Sequence, residues 1–172
     1  VEEAPAPLVE KIGTGMRTKL YDAARTAVAA IGYEGAGTVE FLADHKGKFF
    51  FLETNTRLQV EHPVTELTTG TDLVEWQVRV AQGEPLDPSL VEASTATGHS
   101  IEVRLYAEDP ANDWQPQSGT VSRIDLPADV HFALLEKPGI RVDSGIADGS
   151  EISTYYDPML AKVISWAPDR RR

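Results

Sequence analysis

The sequence predicts an α+β fold in two parts, and three patterns carry that expectation. A stretch with helical periodicity opens the chain, two strand-like runs around a tight turn follow it, and short strands separated by turns fill the region after residue 98. At 172 residues the chain can bury a sizeable core, as one domain or as two small ones.

The elements follow in order. Leu8, Val9, Ile12, Met16, Leu20, Ala24, Val28 and Ile31 recur at helical spacing behind Pro7, which a first turn tolerates, and Gly32 is the expected stop. Ala36 to Asp44 and Lys48 to Thr54 read as a hairpin turning at Lys46-Gly47. Both strands are apolar on both faces, so the hairpin is expected inside a larger sheet. Asp72 and Glu75 form a capping pair for a helix that runs to Ala81 or Gln82 and stops at Gly83. Glu84 to Gly98 lacks periodicity and is the expected boundary, dividing the chain into 1–84 and 85–172. Beyond it Ser100–Tyr106, Gly119–Leu126, Ile140–Val142 and Met159–Trp166 are expected strands of a mostly antiparallel second part.

Composition excludes several classes. A net charge of −11 argues against a nucleic-acid surface, which needs a basic face. No apolar run is long enough to cross a bilayer. The chain has no cysteine, so disulfide frameworks and thiolate zinc sites are out, and a reducing cytoplasm is the expected compartment. The chain opens without Met and stops within a charged run, so a fragment of a longer protein is expected.

The chemistry concentrates between Thr38 and Pro63. A loop symmetric about Lys46-Gly47 places Glu40 opposite Glu53, two carboxylates with Cβ atoms only ~5 Å apart on one face. A hard divalent cation between them relieves the repulsion, and the flanking phenylalanines speak against open water. Glu53, Asn55, Arg57, Gln59 and Glu61 then occupy every second position, so an extended chain would project all five to one side. A guanidinium suits a planar oxyanion, and Glu61 is placed to move a proton. The plainer reading is a half-exposed strand with a solvated face. The absence of Lys and Ser from the ladder, and its continuity with an apolar strand, favour a metal–anion site over it.

These residues carry a resemblance. Gly37 to Leu42, then Phe51 to Glu66 with its Arg-Leu-Gln-Val-Glu-His-Pro run, resemble the ATP-grasp core of biotin carboxylases, as do Val1 to Pro7, Gly98 to Pro110 and Tyr155 to Val163. The resemblance implies the carboxyl-terminal part of an ATP-grasp domain, an antiparallel sheet with packed helices, followed by a small β-rich carboxyl-terminal domain. It implies ATP- and bicarbonate-dependent carboxylation of biotin through carboxyphosphate, the first half-reaction of an acyl-CoA carboxylase of the acetyl, propionyl or methylcrotonyl kind. By position, Glu40, Glu53 and Asn55 would hold Mg2+ or Mn2+ on the ATP phosphates. Arg57, Gln59 and Val60 would bind bicarbonate, Glu61 would be its base, and Arg104 would stabilise the enolate oxygen of biotin.

The family's His-x-Lys element, its glycine-rich phosphate lid and the biotin-attachment Ala-Met-Lys-Met are not in this sequence. Biotin would therefore come from a carrier domain, and the chain alone is expected to be inactive. The implied partners are that carrier, a carboxyltransferase subunit, the amino-terminal half of the same domain and a second copy in a homodimer. Two alternatives compete: another ATP-grasp ligase such as a carbamoyl phosphate synthetase, and a non-catalytic module that docks a biotin carrier or partner subunit. His62 is assigned to fixing the turn at Pro63, Trp76 to packing, and Asp157 with Lys162 to a structural ion pair.

Overall fold

The computed structural model describes residues 1–86 and 96–171, and the side chain of Thr14 is outside that description. Most of the expected boundary stretch, 87–95, thus lies outside the described residues. The chain forms two compact units, Ala4–Thr97 and Gly98–Arg172, the latter joined by Val1–Glu3. The fold is α+β, as expected.

A short strand β1 (Glu2–Ala4) precedes the helices α1 (Pro7–Ile12) and α2 (Thr14–Ala30). The sequence predicts one helix here, and the structure breaks it at Gly13, whose φ of 106° and ψ of 174° leave the helical region. Apolar periodicity survives the break because α1 packs on α2. Gly32 ends α2 as expected: its φ is 60°, its N–H donates to the Ala29 carbonyl, and the Tyr33 N–H reaches back to Val28.

The hairpin is β2 (Thr38–Ala43) and β3 (Phe49–Asn55), antiparallel. Asp44 builds its turn, its Oδ1 accepting the Lys46 and Lys48 N–H groups, while Gly47 supplies the left-handed residue at φ 80°. The Lys48 N–H bond is the largest influence holding the Asp44 carboxyl below its ordinary value. The expected burial of this hairpin is wrong. It is a two-stranded sheet among the described residues, and Leu42, Phe50, Phe51 and Leu52 are 51–61% exposed. A two-stranded ribbon has no neighbouring strand to extend it, so apolar residues on both faces do not imply enclosure.

Two helices complete this unit. α3 (His62–Thr69) supplies most of its buried residues, Pro63, Val64, Leu67 and Thr68 among them, and Gly70 closes it in the left-handed conformation at φ 68°. α4 (Leu73–Ala81) starts at Asp72, whose carboxylate accepts the Glu75 N–H at 2.8 Å. Asp72→Ala should therefore cost ~1 kcal/mol of stability, read as a lower denaturation midpoint of the natural protein.

In the second unit β4 (His99–Tyr106) is followed by β5 (Glu108–Asp109), a 3-10 turn at Pro110–Asn112, β6 (Gln115–Pro116) and β7 (Gly119–Thr120). Then come β8 (Val130–His131), β9 (Gly139–Ser144), β10 (Glu151–Ile152) and β11 (Met159–Ala167). The main sheet has the order β1-β4-β11-β9-β8, with β11 antiparallel to both β4 and β9 and β8 parallel to β9. The expected strand Gly119–Leu126 shrinks to the two residues of β7, paired with β10. No described helix is long and apolar enough to cross a membrane.

One face of this sheet carries a buried charge layer. Arg141 grips Asp143 with two 2.8 Å bonds, and Lys162, directly across the ladder from Asp143, lies 3.4 Å from its Oδ2. The Phe132 N–H adds a fourth donor at 3.1 Å. Glu102, fully buried opposite Ile164, lies in the row that also holds Arg141. Lys162 thus pairs with Asp143, and the expected Asp157–Lys162 pair does not form. The Asp157 carboxylate instead accepts the Met159 N–H.

Candidate active site

The site is built on the open end of the β2–β3 hairpin. Near the turn Phe41 pairs with Phe51, Leu42 with Phe50 and Ala43 with Phe49. Continued unbroken, that register would set Leu52 opposite Glu40 and turn Glu53 to the other face. A bulge intervenes between Glu40 and Phe41, absorbs Leu52 and restores Glu53 to the position opposite Glu40. The expected acid pair is present, then, but the symmetric two-residue loop that led to it is not. A three-residue loop plus a bulge gives the same facing pair.

The two carboxylates share a donor. Asn55 Nδ2 lies 2.8 Å from Glu40 Oε1 and 3.0 Å from Glu53 Oε1, so one amide bridges both acids. Glu53 is exposed and Glu40 half-buried, which corrects the expectation that flanking phenylalanines would shut out water. Repulsion is relieved by solvent and by the amide. Among the described residues no three His, Cys, Asp or Glu side chains group as metal ligands. That is no obstacle for Mg2+, which commonly takes one or two carboxylates and completes its shell with water and substrate phosphates. The two carboxylates are hard oxygen donors that fit such an ion, while the Asn55 amide turns its nitrogen to them and its oxygen to Arg57.

The polar ladder takes a different shape from the one expected. β3 ends at Asn55, and residues 56–61 bend into the start of α3 instead of continuing extended. Side chains converge by that bend. Arg57 Nη1 donates to Gln59 Oε1 at 2.7 Å and to the Leu58 carbonyl at 3.2 Å, while its Nη2 is 3.4 Å from Asn55 Oδ1. Gln59, the most buried of the set at 9% exposed, donates from Nε2 to Glu40 Oε1 at 2.9 Å. Glu40, Glu53, Asn55, Arg57 and Gln59 thus form one continuous network, and a strictly extended strand could not have closed it between Gln59 and Glu40.

Glu61 sits at the residue preceding α3, and with Arg57 and Gln59 it borders a cavity of ≈ 450 Å³. Leu73, Trp76 and Val80 of α4 form an apolar wall of the same cavity, so Trp76 is a cavity residue as well as a packing one. Val60, between Gln59 and Glu61, is half-buried. Arg104 belongs to the other unit, where its Nη2 pairs with Glu2 at 3.4 Å. It lies on the same face of β4 as Ser100 and Glu102, with Ile101, Val103 and Leu105 on the opposite face.

Two features here escaped the sequence reading. The bulge at Leu52 has no compositional signature. The contact of His62 with the Gln59 carbonyl, at 2.7 Å, has a partial one: His62 and Glu66 are four apart on a helix, a spacing that brings side chains together.

Comparison with known proteins decides the family. Residues 1–89 match the model for the ATP binding domain of the carbamoyl-phosphate synthase L chain, and residues 102–172 match the biotin carboxylase C-terminal domain. The two in tandem separate this chain from a carbamoyl phosphate synthetase. The chain belongs to the biotin carboxylase family. The biotin carboxylase resemblance and the fold it implied are thereby borne out. Among curated relatives, the methylcrotonoyl-CoA carboxylase subunit alpha of Mus musculus, a mitochondrial protein, is 48% identical over 99% of this chain, which spans 22% of that relative. The biotin carboxylase of Nostoc is 44% identical over 99% of this chain and 35% of its own length. Among solved structures, the biotin carboxylase domain of a thermophilic 2-oxoglutarate carboxylase bound to bicarbonate aligns with a TM-score of 0.85 at 44% identity, covering 97% of this chain and 35% of that one. The corresponding domain dimer from Hydrogenobacter thermophilus, solved with MgADP, ADP and bicarbonate, gives 0.82 at 44% identity over 97% of this chain and 34% of that one. The chain therefore spans about a fifth to about a third of the length of these relatives.

Proposed function

We propose that the natural protein carrying this chain carboxylates biotin at the expense of ATP, with bicarbonate as carbon donor, and that this chain supplies the metal–bicarbonate wall of the site. The observation that carries the reading is the continuous Glu53–Asn55–Glu40–Gln59–Arg57 network, with Arg57, Gln59 and Glu61 on one cavity.

Each residue has a role its surroundings support. Glu40, Glu53 and Asn55 would hold the Mg2+ or Mn2+ that accompanies ATP, an ion that neutralises charge on the phosphates when bound. Arg57 would bind bicarbonate through its guanidinium fork, with Gln59 and the Val60 backbone completing the pocket. Glu61 would take the bicarbonate proton as general base. The freed oxygen attacks the terminal phosphorus, the bond to ADP breaks, and carboxyphosphate forms. In the second step of the same half-reaction biotin's ring nitrogen gives its proton to the departing phosphate and takes the carboxyl group, and Arg104 would stabilise the negative charge on the ureido oxygen.

The proposed partners are a biotin carrier domain, a carboxyltransferase, the amino-terminal half of the ATP-grasp domain and a second copy of the protein. The relatives, alpha subunits or chains of acyl-CoA carboxylases, support the first two. The 85–172 region as a separate domain and a cytoplasmic location belong to the same proposal. The test is ADP release by the intact natural protein with MgATP and biotin. Release that rises with bicarbonate supports the reading, and bicarbonate-independent release speaks for a docking role without this chemistry.

Asn55 offers a narrower test. Asn55→Leu keeps the side-chain size but removes the shared donor and the amide oxygen. Mn2+ affinity of the intact protein, followed by electron paramagnetic resonance, should fall roughly 10- to 100-fold. Unchanged affinity would move the metal away from this hairpin.

A further inference from the structure

Beside Gln59 stand His62, which borders the same cavity, and the buried Glu66, and the chemistry above gives neither a task. The His62 side chain is 12% exposed and that of Glu66 is 3% exposed. His62 Nδ1 lies 2.7 Å from the carbonyl oxygen of Gln59. A carbonyl only accepts, so Nδ1 carries the proton and donates, and Nε2 is left facing Glu66 Oε2 at 3.9 Å. Glu66 is itself fixed: it sits in α3, and its Oε1 accepts the Leu73 N–H at the start of α4 at 2.8 Å. The ring thus lies beside a carboxylate that is itself anchored on two helices.

The carbonyl that His62 grips belongs to the residue whose side chain joins Glu40 to Arg57. Closing the turn does not require the ring, because the His62 backbone N–H already reaches the same carbonyl at 3.3 Å. The ring adds a second donor and thereby fixes the direction of the Gln59 peptide. We propose that His62, through its bond to the Gln59 carbonyl, is a positioning residue that sets the orientation of Gln59 and, through it, of the Arg57 guanidinium. This rests on the proposed bicarbonate role of Arg57 and Gln59 and extends it one layer outward. It also revises the expectation that His62 serves only the turn at Pro63.

The test compares His62→Ala, His62→Asn and His62→Gln in the intact natural protein. The Asn amide nitrogen falls where Nδ1 stands, whereas that of Gln falls nearer Nε2, so only Asn restores the bond to the Gln59 carbonyl. His62→Ala should raise KM for bicarbonate roughly 10- to 100-fold while KM for MgATP stays within about twofold, with recovery in His62→Asn and not in His62→Gln. The Gln59 side-chain amide resonances should shift in His62→Ala and return in His62→Asn, a readout that needs no turnover. Equal loss for both substrates, with Asn no better than Ala, would reduce His62 to a turn residue and overturn the proposal. A wild-type protein without bicarbonate-dependent turnover would overturn the proposed function instead. The clamp would then be decided by the amide resonances, and unchanged Gln59 signals in His62→Ala would sink it.

Discussion

Arg104→Gln in the intact natural protein is expected to slow carboxylation of biotin by roughly a hundred- to a thousand-fold, about 2.7–4 kcal/mol, the usual cost of losing a donor to a developing oxyanion. Affinity for MgATP should be nearly unchanged, because Glu40, Glu53 and Asn55 lie on the hairpin of the other unit. Two observations make the rate a clean readout. Arg104 stands on the half-buried face of β4, with its side chain 28% exposed. Its pair with Glu2 is long, at 3.4 Å, and Glu2 is 39% exposed, so that pair contributes under about 1 kcal/mol to stability. The guanidinium is partly exposed, so a substrate can reach it from solvent. Biotin carboxylation near the wild-type rate, with only a small loss of stability, would make Arg104 a partner of Glu2 and nothing more.

Asp143→Ala should be the most damaging single change to the second unit, costing about 3–5 kcal/mol. The carboxylate is 3% exposed and pairs with Arg141 and Lys162, so its removal takes the shared counter-charge from two buried cations. Replacing a buried pair outright by apolar residues can be neutral, but removing one partner leaves an uncompensated charge. The same group sets an acid limit. Burial raises the Asp143 carboxyl, yet the hydrogen bonds and charge of Arg141, with help from Lys162, outweigh it and hold the group below its usual value. A carboxyl lowered on folding contributes stability above its unfolded value of ~3.9 and loses it as pH falls through the folded one. Wild-type stability should thus fall as the pH drops below about 4, and in Asp143→Ala that part of the slope should vanish. Denaturant titrations of both proteins between neutral and acid pH measure it.

The parts of the fold that sequence reveals are those governed by local rules. Asp72 caps its helix because a carboxylate one residue ahead of a helix meets free N–H groups, and Gly32 ends another because it adopts positive φ without strain. Both are readable from neighbours in the chain. Glu40 facing Glu53 was legible too, although through a different turn, since a three-residue loop and the Leu52 bulge together recover the register of a symmetric loop.

What stayed hidden depends on non-local partners. Alternation of Glu102, Arg104 and Tyr106 with apolar residues marks two faces, and a polar face ordinarily faces water. Here the polar face is the more buried one, because Arg141, Asp143 and Lys162 from two other strands lie on the same face and pair with one another there. The polar ladder erred in the other direction. Period-two spacing continues past Asn55, but the turn closed by the Gln59 carbonyl and the proline at the head of α3 override it. Four of its five side chains nevertheless join one network with Glu40, and Glu61 borders the same cavity as Arg57 and Gln59, because a bend can gather what a strand would have lined up.

The most direct test follows the oxygen atoms. The intact natural protein is supplied with MgATP, biotin and bicarbonate labelled with 18O, and the released phosphate is weighed by mass spectrometry. If Arg57 and Gln59 hold bicarbonate and Glu61 deprotonates it for attack on the terminal phosphorus, each phosphate carries one oxygen from bicarbonate, and Glu61→Gln abolishes that transfer. Phosphate that acquires its new oxygen from water alone would contradict the account.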